Sequence, residues 1–452
     1  MERGGRSRNG GRAVAMKPKA RRWRYAQSLH LGMPSMHKHV AAAFAMFLGL
    51  ALGPAAAQTR IAIACGSVGV EAQLCREGVA EWARLTGHRA DLVSTPIGSS
   101  ERLALFQQLL AAGSADIDVF QLDIVWPGIL SHQLLDLSEW IAPELLERHL
   151  PLLLRNNIVA GRLVAMPWFT HAGAMYFRRD LLEKHGRRIP ETWEEMAETA
   201  QVIMQAERAA GASRMQGYVF QGRAYEGLTV NALEWLAGSG AAGIIAPDGR
   251  VAINTPRAAE VLTAASRWVG TITPRGVLNY AEEEARGVFQ SGNAVFMRNW
   301  PYAWQLVNAP DSPVHGRVGV APLPLGAAVL GGEQLGVSRH SRHPEVAVSL
   351  VMYLTGRAEQ RRRAIVGGMI PTIPELYAEP EVLAANPVLA QLRDVMADAA
   401  LRPSAVTRGR YNQVSAEFWN AVHDVLSGER GAAEALGRLE RILLRVGRDG
   451  HW

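Results

Sequence analysis

Between residues 60 and 122 the apolar positions switch back and forth between two periods. Arg60–Ala64 (RIAIA) alternates like a strand. Val70–Thr86 repeats at helical spacing and is closed by Gly87, and Ala90–Ser94 is strand-like again. Ser99 or Ser100 then caps a helix carrying Leu103, Phe106, Leu109 and Leu110 on one face, and Asp118–Leu122 forms a third short apolar run. This β-α-β-α-β alternation predicts an α/β unit built on a largely parallel sheet. Such sheets bind ligands beyond the carboxyl ends of their strands, where Gly66–Glu71 and Gln121–Trp126 fall.

Near Trp168 the pattern restarts. Met175–Arg178 reads as a strand, and Thr192-Trp193-Glu194-Glu195 as a capping box opening a helix to Ala206. Helical spacing returns at Leu228–Leu236, Pro256–Val269, Tyr280–Ser291, Pro344–Thr355, Asn412–Leu426 and Ala432–Val446. Within these patterns Trp82, Trp193, Trp235, Trp268 and Trp419 are expected in the core, and Glu282-Glu283-Glu284 on a solvated helix face. Gly331-Gly332 and Pro371 read as points where the chain passes between two halves.

Charge changes the picture only after the first 57 residues are set apart. Val40–Leu52 is a short apolar run preceded by His37-Lys38-His39 and followed by Ala55-Ala56-Ala57, the layout of a cleavable export signal too short to span a bilayer. No Cys follows the run to carry a lipid. Of 48 Lys+Arg and 42 Asp+Glu, this leader holds 10 and 1, leaving 38 and 41 and a net charge of −3. The basic balance therefore belongs to the leader, and nothing in the remaining chain points to nucleic acid. Export also places Cys65 and Cys75 in an oxidising compartment, where a disulfide between a strand end and the second turn of a helix is expected, two buried thiols being the other reading. Two Cys without clustered His argue against a metal site.

The candidate chemistry centres on 118–141, DVFQLDIVWPGILSHQLLDLSEWI. A carboxylate (Asp123) and an indole (Trp126) after a strand suit a sugar: the one accepts hydroxyl hydrogen bonds, the other offers a flat face to C–H groups. A helix cap and a core Trp account for the same residues. Gly238–Gly243 matches GxGxxG but follows a helix, so it lacks the context of a dinucleotide site. There is no GxxxxGK[ST], HExxH or GxSxG.

Seven segments in order carry a resemblance: DVFQLDIVWPGIL at 118–130, AMPWFTHAGAMYFRRDLL at 165–182, PETWEEM at 190–196, FQGRAYEGLTVNALEWL at 220–236, GNAVFMRNWPYAW at 292–304, LGGEQLGVS at 330–338 and RYNQVSAEFWNAVHDVLSG at 410–428. The chain resembles the extracellular solute-binding proteins of carbohydrate ABC transporters, and among them the trehalose/maltose-binding group. The resemblance implies a periplasmic-binding-protein-like α/β fold of two lobes, a ligand cleft, a hinge of three crossings and closure on sugar. It divides the chain into residues 58–168 with 333–372 and residues 169–332 with 373–452. It implies a monomer without cofactor in the periplasm, whose partners are a small sugar and the permease subunits of the inner membrane. Carried over by motif, the ligand contacts are Glu71, Asp123, Thr170, Glu226, Trp300, Tyr302, Gly332 and an Arg or Tyr near Arg408–Tyr411. Two positions depart from the pattern: His171, where relatives often have Asp, and Glu333, where many have an aromatic. Both are candidate contacts, and they open the alternative of another sugar, a polyol or a charged derivative. A secreted glycosidase using Asp123, Glu226 and Glu71 is the remote alternative. Each residue also has a plainer reading: a helix cap for Asp123, a first-turn carboxylate for Glu71, a surface charge for Glu226, a core ring for Trp300, packing for His171.

Overall fold

The structure, a computed structural model, describes residues 58–452 apart from 67–68, 97, 242, 327, 398 and 449–451. The leader expectation lies outside the described residues. The first alternation forms as read: β1 (Arg60–Ala64), the helix Gly69–Thr86, β2 (Arg89–Leu92), the helix Ser99–Ala111 and β3 (Val119–Asp123). Ser99 is the first helical residue and Gly98 is the N-cap, with no side-chain cap bond, so the expected serine cap is not made.

β4 (Ile158–Val159) and β5 (Arg162–Leu163) form a small ribbon. β6 (Met166–Ala172) and β7 (Ala174–Arg178) follow almost without a break, then β8 (Gln216–Val219), β9 (Ala294–Asn299), β10 (Val318–Pro322) and β11 (Leu330–Val337). One sheet has the order β2-β1-β3-β11-β6, the other β10-β7-β9-β8. In the first sheet β1 pairs in parallel with β2 and β3, while β11 runs antiparallel to both β3 and β6.

Alternation along the strands feeds a core on each face of each sheet. Met175 and Phe177 join the cluster of Trp193, Trp235 and Trp268, while Ala174 and Tyr176 join that of Phe289 and Leu389. Ile61, Ile63 and Val337 face Trp82 and Trp168, whereas Phe120 and Leu122 face Phe106 and Trp126. Trp419 departs from its expectation: it is only partly buried and lines a cavity.

The chain passes from sheet to sheet at Gly173, between β6 and β7, and at 323–329, between β10 and β11. The expected junctions at 168/169 and 332/333 instead fall inside β6 and β11, both strands of the five-stranded sheet. Gly173 is set by contact. A Cβ there would lie 2.1 Å from Glu234 Oε1 and 2.6 Å from Arg298 Nη2, so the buried pair of these two side chains packs directly against the passage.

Candidate functional site

Residues of the five-stranded sheet and of the segments that follow β8 and β9 of the other sheet line a cavity of about 570 Å³. Of the predicted contacts, Glu71, Asp123, His171, Glu226, Trp300, Tyr302, Gly332 and Glu333 line it, and Thr170, Arg408 and Tyr411 do not. Thr170 is fully buried and its hydroxyl donates to the Gly331 carbonyl at 3.0 Å. Arg408 is exposed, with left-handed backbone (φ 47°). Tyr411 is buried behind the wall, and its hydroxyl donates to Glu226 Oε1.

One wall is acidic because of strand register. β11 places Glu333 opposite Asp123 of β3, so the two side chains share a face. Glu71 joins them from the first turn of its helix, held by Gln121, whose Nε2 donates to Glu71 and whose Oε1 accepts the Gly66 N–H at 2.6 Å. Burial raises the Glu333 carboxyl to about 8, and the charges of Asp123 and Glu71 add to it against the pull of Arg102, 3.9 Å away. The neutral form that this favours is a donor as well as an acceptor. Next to it Gly332 holds φ 135°, and a Cβ there would meet the Phe169 carbonyl at 2.5 Å.

Arg402 joins the halves of the site. Its side chain is 3 % exposed; Nη1 donates to Glu226 Oε1 at 2.8 Å and Nη2 to Asp123 Oδ1 at 3.4 Å. Burial alone would lower the guanidinium, but Asp123, Tyr411 and Glu226 hold it above its ordinary value. Asp123 also accepts the Val125 N–H at 3.0 Å, so it is both a turn cap and a cleft group. Glu226 is no surface charge: Ser415 Oγ donates to its Oε2 at 2.7 Å, beside Arg402 and Tyr411.

Trp300 lies opposite, partly exposed at the cavity. The Arg298 guanidinium sits 4.0 Å from its ring centroid and pairs bidentately with Glu234 at 2.8 and 2.5 Å. His171 packs 5.5 Å from Trp300 and 5.4 Å from Phe169, ring centre to ring centre. Burial lowers its imidazole to about 3, with Arg298 and Arg402 adding to the effect, so at neutral pH it is uncharged. A charged sugar derivative would therefore find no cation at His171. Glu282 also departs from its reading as a solvated residue: it lines the cavity and accepts the Tyr225 hydroxyl at 2.6 Å and the Trp300 indole N–H at 3.4 Å. Glu283 and Glu284 are exposed, Glu283 accepting the Tyr302 hydroxyl at 2.7 Å.

Arg402, Arg102, Arg223, Tyr225 and Phe169 also line the cavity, and sequence reading missed them. Tyr225 precedes Glu226 inside one of the quoted segments, a signal that was available. Arg402 lies six residues before the nearest predicted Arg and outside every segment, with none. Trp126 stays in the core, edge-on to Phe106 at 5.9 Å, so the indole beside Asp123 is not the platform. Cys65 and Cys75 are joined, tying the end of β1 to the helix that carries Glu71. Among the described residues no group of three or more His, Cys, Asp or Glu could hold a metal, and no helix is long and apolar enough to cross a membrane.

The profile of the bacterial extracellular solute-binding proteins matches residues 74–361. The chain belongs to this family. A solute-binding relative of Deinococcus radiodurans, described as a probable ABC transporter-binding protein, is 45 % identical over 413 residues, 89 % of this chain and 98 % of that one. Among solved structures the maltose-bound MalE3 of T. maritima is similar at TM-score 0.79 and 36 % identity, over 86 % of this chain and 100 % of that one. A solute-binding protein of Thermotoga lettingae bound to α-D-tagatose is similar at TM-score 0.74 and 21 % identity, over 86 % and 99 %, a likeness of fold. The solute-binding family member described here thus has the periplasmic-binding-protein-like fold.

Proposed function

We propose that this protein is the sugar-binding component of an ABC importer, acts outside the cytoplasmic membrane, and takes an α-linked disaccharide of the maltose or trehalose kind. The observation that carries the reading is the pairing of a partly exposed indole, backed by a guanidinium, with an opposing wall of carboxylates. A sugar gives up its hydration only where each hydroxyl finds a partner of good geometry. Asp123, Glu71, Glu226 and protonated Glu333 supply such partners, Arg402 is a charged donor, and Trp300 offers an apolar face. The disaccharide seen in MalE3 belongs to that protein, and it supports the choice of ligand here.

The mechanism is closure. The two lobes are residues 58–168 with 333–372 and residues 169–332 with 373–452, with the boundaries at 168/169 and 332/333 moved to the strand passages at Gly173 and 323–329. Sugar held between Asp123 on one side and Trp300 on the other completes contacts that only the closed arrangement offers, which shifts the population toward it. The closed monomer then meets the permease subunits. Besides Glu333, the cavity wall carries five carboxylates, Glu71, Glu101, Asp123, Glu226 and Glu282, against Arg102, Arg223 and Arg402, so a sugar acid is disfavoured. Asp123 and Glu226 share one buried arginine, an arrangement suited to holding hydroxyls rather than to passing protons in glycoside hydrolysis.

Thermal unfolding against maltose, trehalose, sucrose, glucose, polyols and sugar acids tests the reading. A ligand at about 100 times its Kd adds about 2.7 kcal/mol to stability. Stabilisation by maltose or trehalose is expected. Stabilisation by no sugar or polyol would sink the sugar reading, and stabilisation by sugar acids alone would reverse the charge argument.

A further inference from the structure

We infer that a groove between the helices Tyr411–Ser427 and Ala432–Val446 is a binding site for a phosphate group, separate from the sugar cavity and sharing no wall residue with it. The groove encloses about 600 Å³, and Arg410, Arg438, Arg445 and Arg448 line it together with Gln413 and Glu417. Sequence period brings part of this charge together. The helix Ala432–Val446 buries Leu436, Leu439, Leu443 and Val446 on one face, so Arg438, Arg441 and Arg445, at i, i+3 and i+7, gather on the opposite one. Arg448 follows the helix in left-handed backbone (φ 42°), a conformation that residues other than glycine seldom adopt. Arg410 comes from a separate segment. Its Nη1 donates to the carbonyl of Val446, the last residue of the helix, which holds a further guanidinium at the same end.

Local pairing does not neutralise these charges. Among the described residues none of Arg410, Arg438, Arg445 and Arg448 makes an ion pair. A second groove between the same two helices shows the contrast: there Arg430 pairs with Asp424 at 3.4 Å and with Glu434 at 2.5 Å. A helix C-terminus attracts cations, but it supplies only about half a negative charge. Glu417 supplies one more, so the four guanidiniums keep an excess of about two to three positive charges. One phosphate group at neutral pH carries about −1.5 to −2 and offsets most of it. The excess is local, because the chain from residue 58 onward is net negative at −3. Guanidiniums also present paired N–H donors that match phosphate oxygens two at a time, and Gln413 adds an amide donor. A neutral sugar has no charge to answer this groove, and the acidic wall of the sugar cavity has no comparable excess of cations.

Thermal unfolding of the protein in inorganic phosphate, with chloride at matched ionic strength as the control, tests the site. Flotation with vesicles of phosphatidylglycerol, against phosphatidylcholine alone, separates a lipid headgroup from a soluble phosphate. The expected result is a saturable rise of the unfolding temperature in phosphate beyond that in chloride, or salt-sensitive flotation with the anionic vesicles only. Arg438→Gln combined with Arg445→Gln, both at exposed positions, should weaken whichever probe binds by about tenfold or more, the loss of one charge-assisted hydrogen bond. Without either probe the double variant should unfold no earlier than the parent, because the replacements relieve repulsion between like charges. Flotation alone would assign a lipid headgroup, a phosphate response alone a soluble phosphate ligand, and both a groove open to either. Chloride acting as well as phosphate with no flotation, a double variant that binds as the parent does, or one that unfolds earlier without a probe would overturn the site.

Discussion

Replacing Glu234 with alanine should cost about 3–5 kcal/mol of folding stability, the range for breaking a buried ion pair from one side. The pair it makes with Arg298 is 0 % exposed on both partners and doubly bonded at 2.8 and 2.5 Å. Without Glu234 the guanidinium keeps only Gln221, whose Oε1 accepts from Nη1 at 3.2 Å, and the Trp300 ring. A solvent-exposed pair of the same residues would be worth only about 0–1 kcal/mol, so the size of the loss reports burial directly. Removing both charges together, as Glu234→Met with Arg298→Met, should recover most of the loss, because no uncompensated charge remains in the core. Urea unfolding measures both. With a denaturant slope of about 3 kcal/mol per molar, the single replacement should move the midpoint down by about 1–1.7 M. The binding consequence is separate: an unpaired Arg298 no longer holds one position behind Trp300, and maltose affinity should fall as well. A single-variant loss below about 1 kcal/mol, or a double variant no more stable than the worse single one, would refute the reasoning.

Other predictions follow from the same geometry. Glu333 is ordinarily a carboxyl near 4.5 and is raised to about 8 in the fold, so its share of stability is complete below the lower value and is lost as pH rises toward the upper one. The stability difference between parent and Glu333→Gln should therefore drift against the parent from about pH 4.5 to 8 and level off above, read by urea titration at each pH. Arg402→Leu leaves Asp123 and Glu226 without their shared cation and should weaken maltose binding by about tenfold or more, one charge-assisted hydrogen bond being worth about 1.5–3 kcal/mol; unchanged affinity would remove Arg402 from the site. Gly332→Ala forces a side chain into left-handed backbone against the Phe169 carbonyl and should lower the melting temperature, by about 1–3 kcal/mol in stability, with a further loss of sugar binding. Replacing Cys65 and Cys75 by Ser opens a loop of sequence separation 10 and should cost about 2–3 kcal/mol, measured by chemical denaturation.

Much of the architecture is written locally. The β1-to-β3 alternation, the Thr192 cap that accepts the Glu195 N–H at 3.1 Å, and the tail helix Ala432–Val446 follow from period and capping, which depend on neighbours in sequence. So do the positions of Glu71, Asp123 and Trp300, in the first turn of a helix, at the last residue of β3 and just past β9. The tertiary structure alone decided the rest. Burial raises the Glu333 carboxyl, and β11, running antiparallel beside β3, adds to this by bringing it opposite Asp123, 210 positions away in the chain. His171 is neutral because it is buried near Arg298 and Arg402, and Arg402 is a cleft residue because carboxylates from two distant segments meet around it. The choice of Trp300 over Trp126 as the open ring rests on which face the core covers, and Thr170 withdraws from the site for the same reason. Local spacing fixes which residues leave an element on the same side. What those side chains meet there, and with which charge, depends on packing between segments that the one-dimensional pattern does not relate.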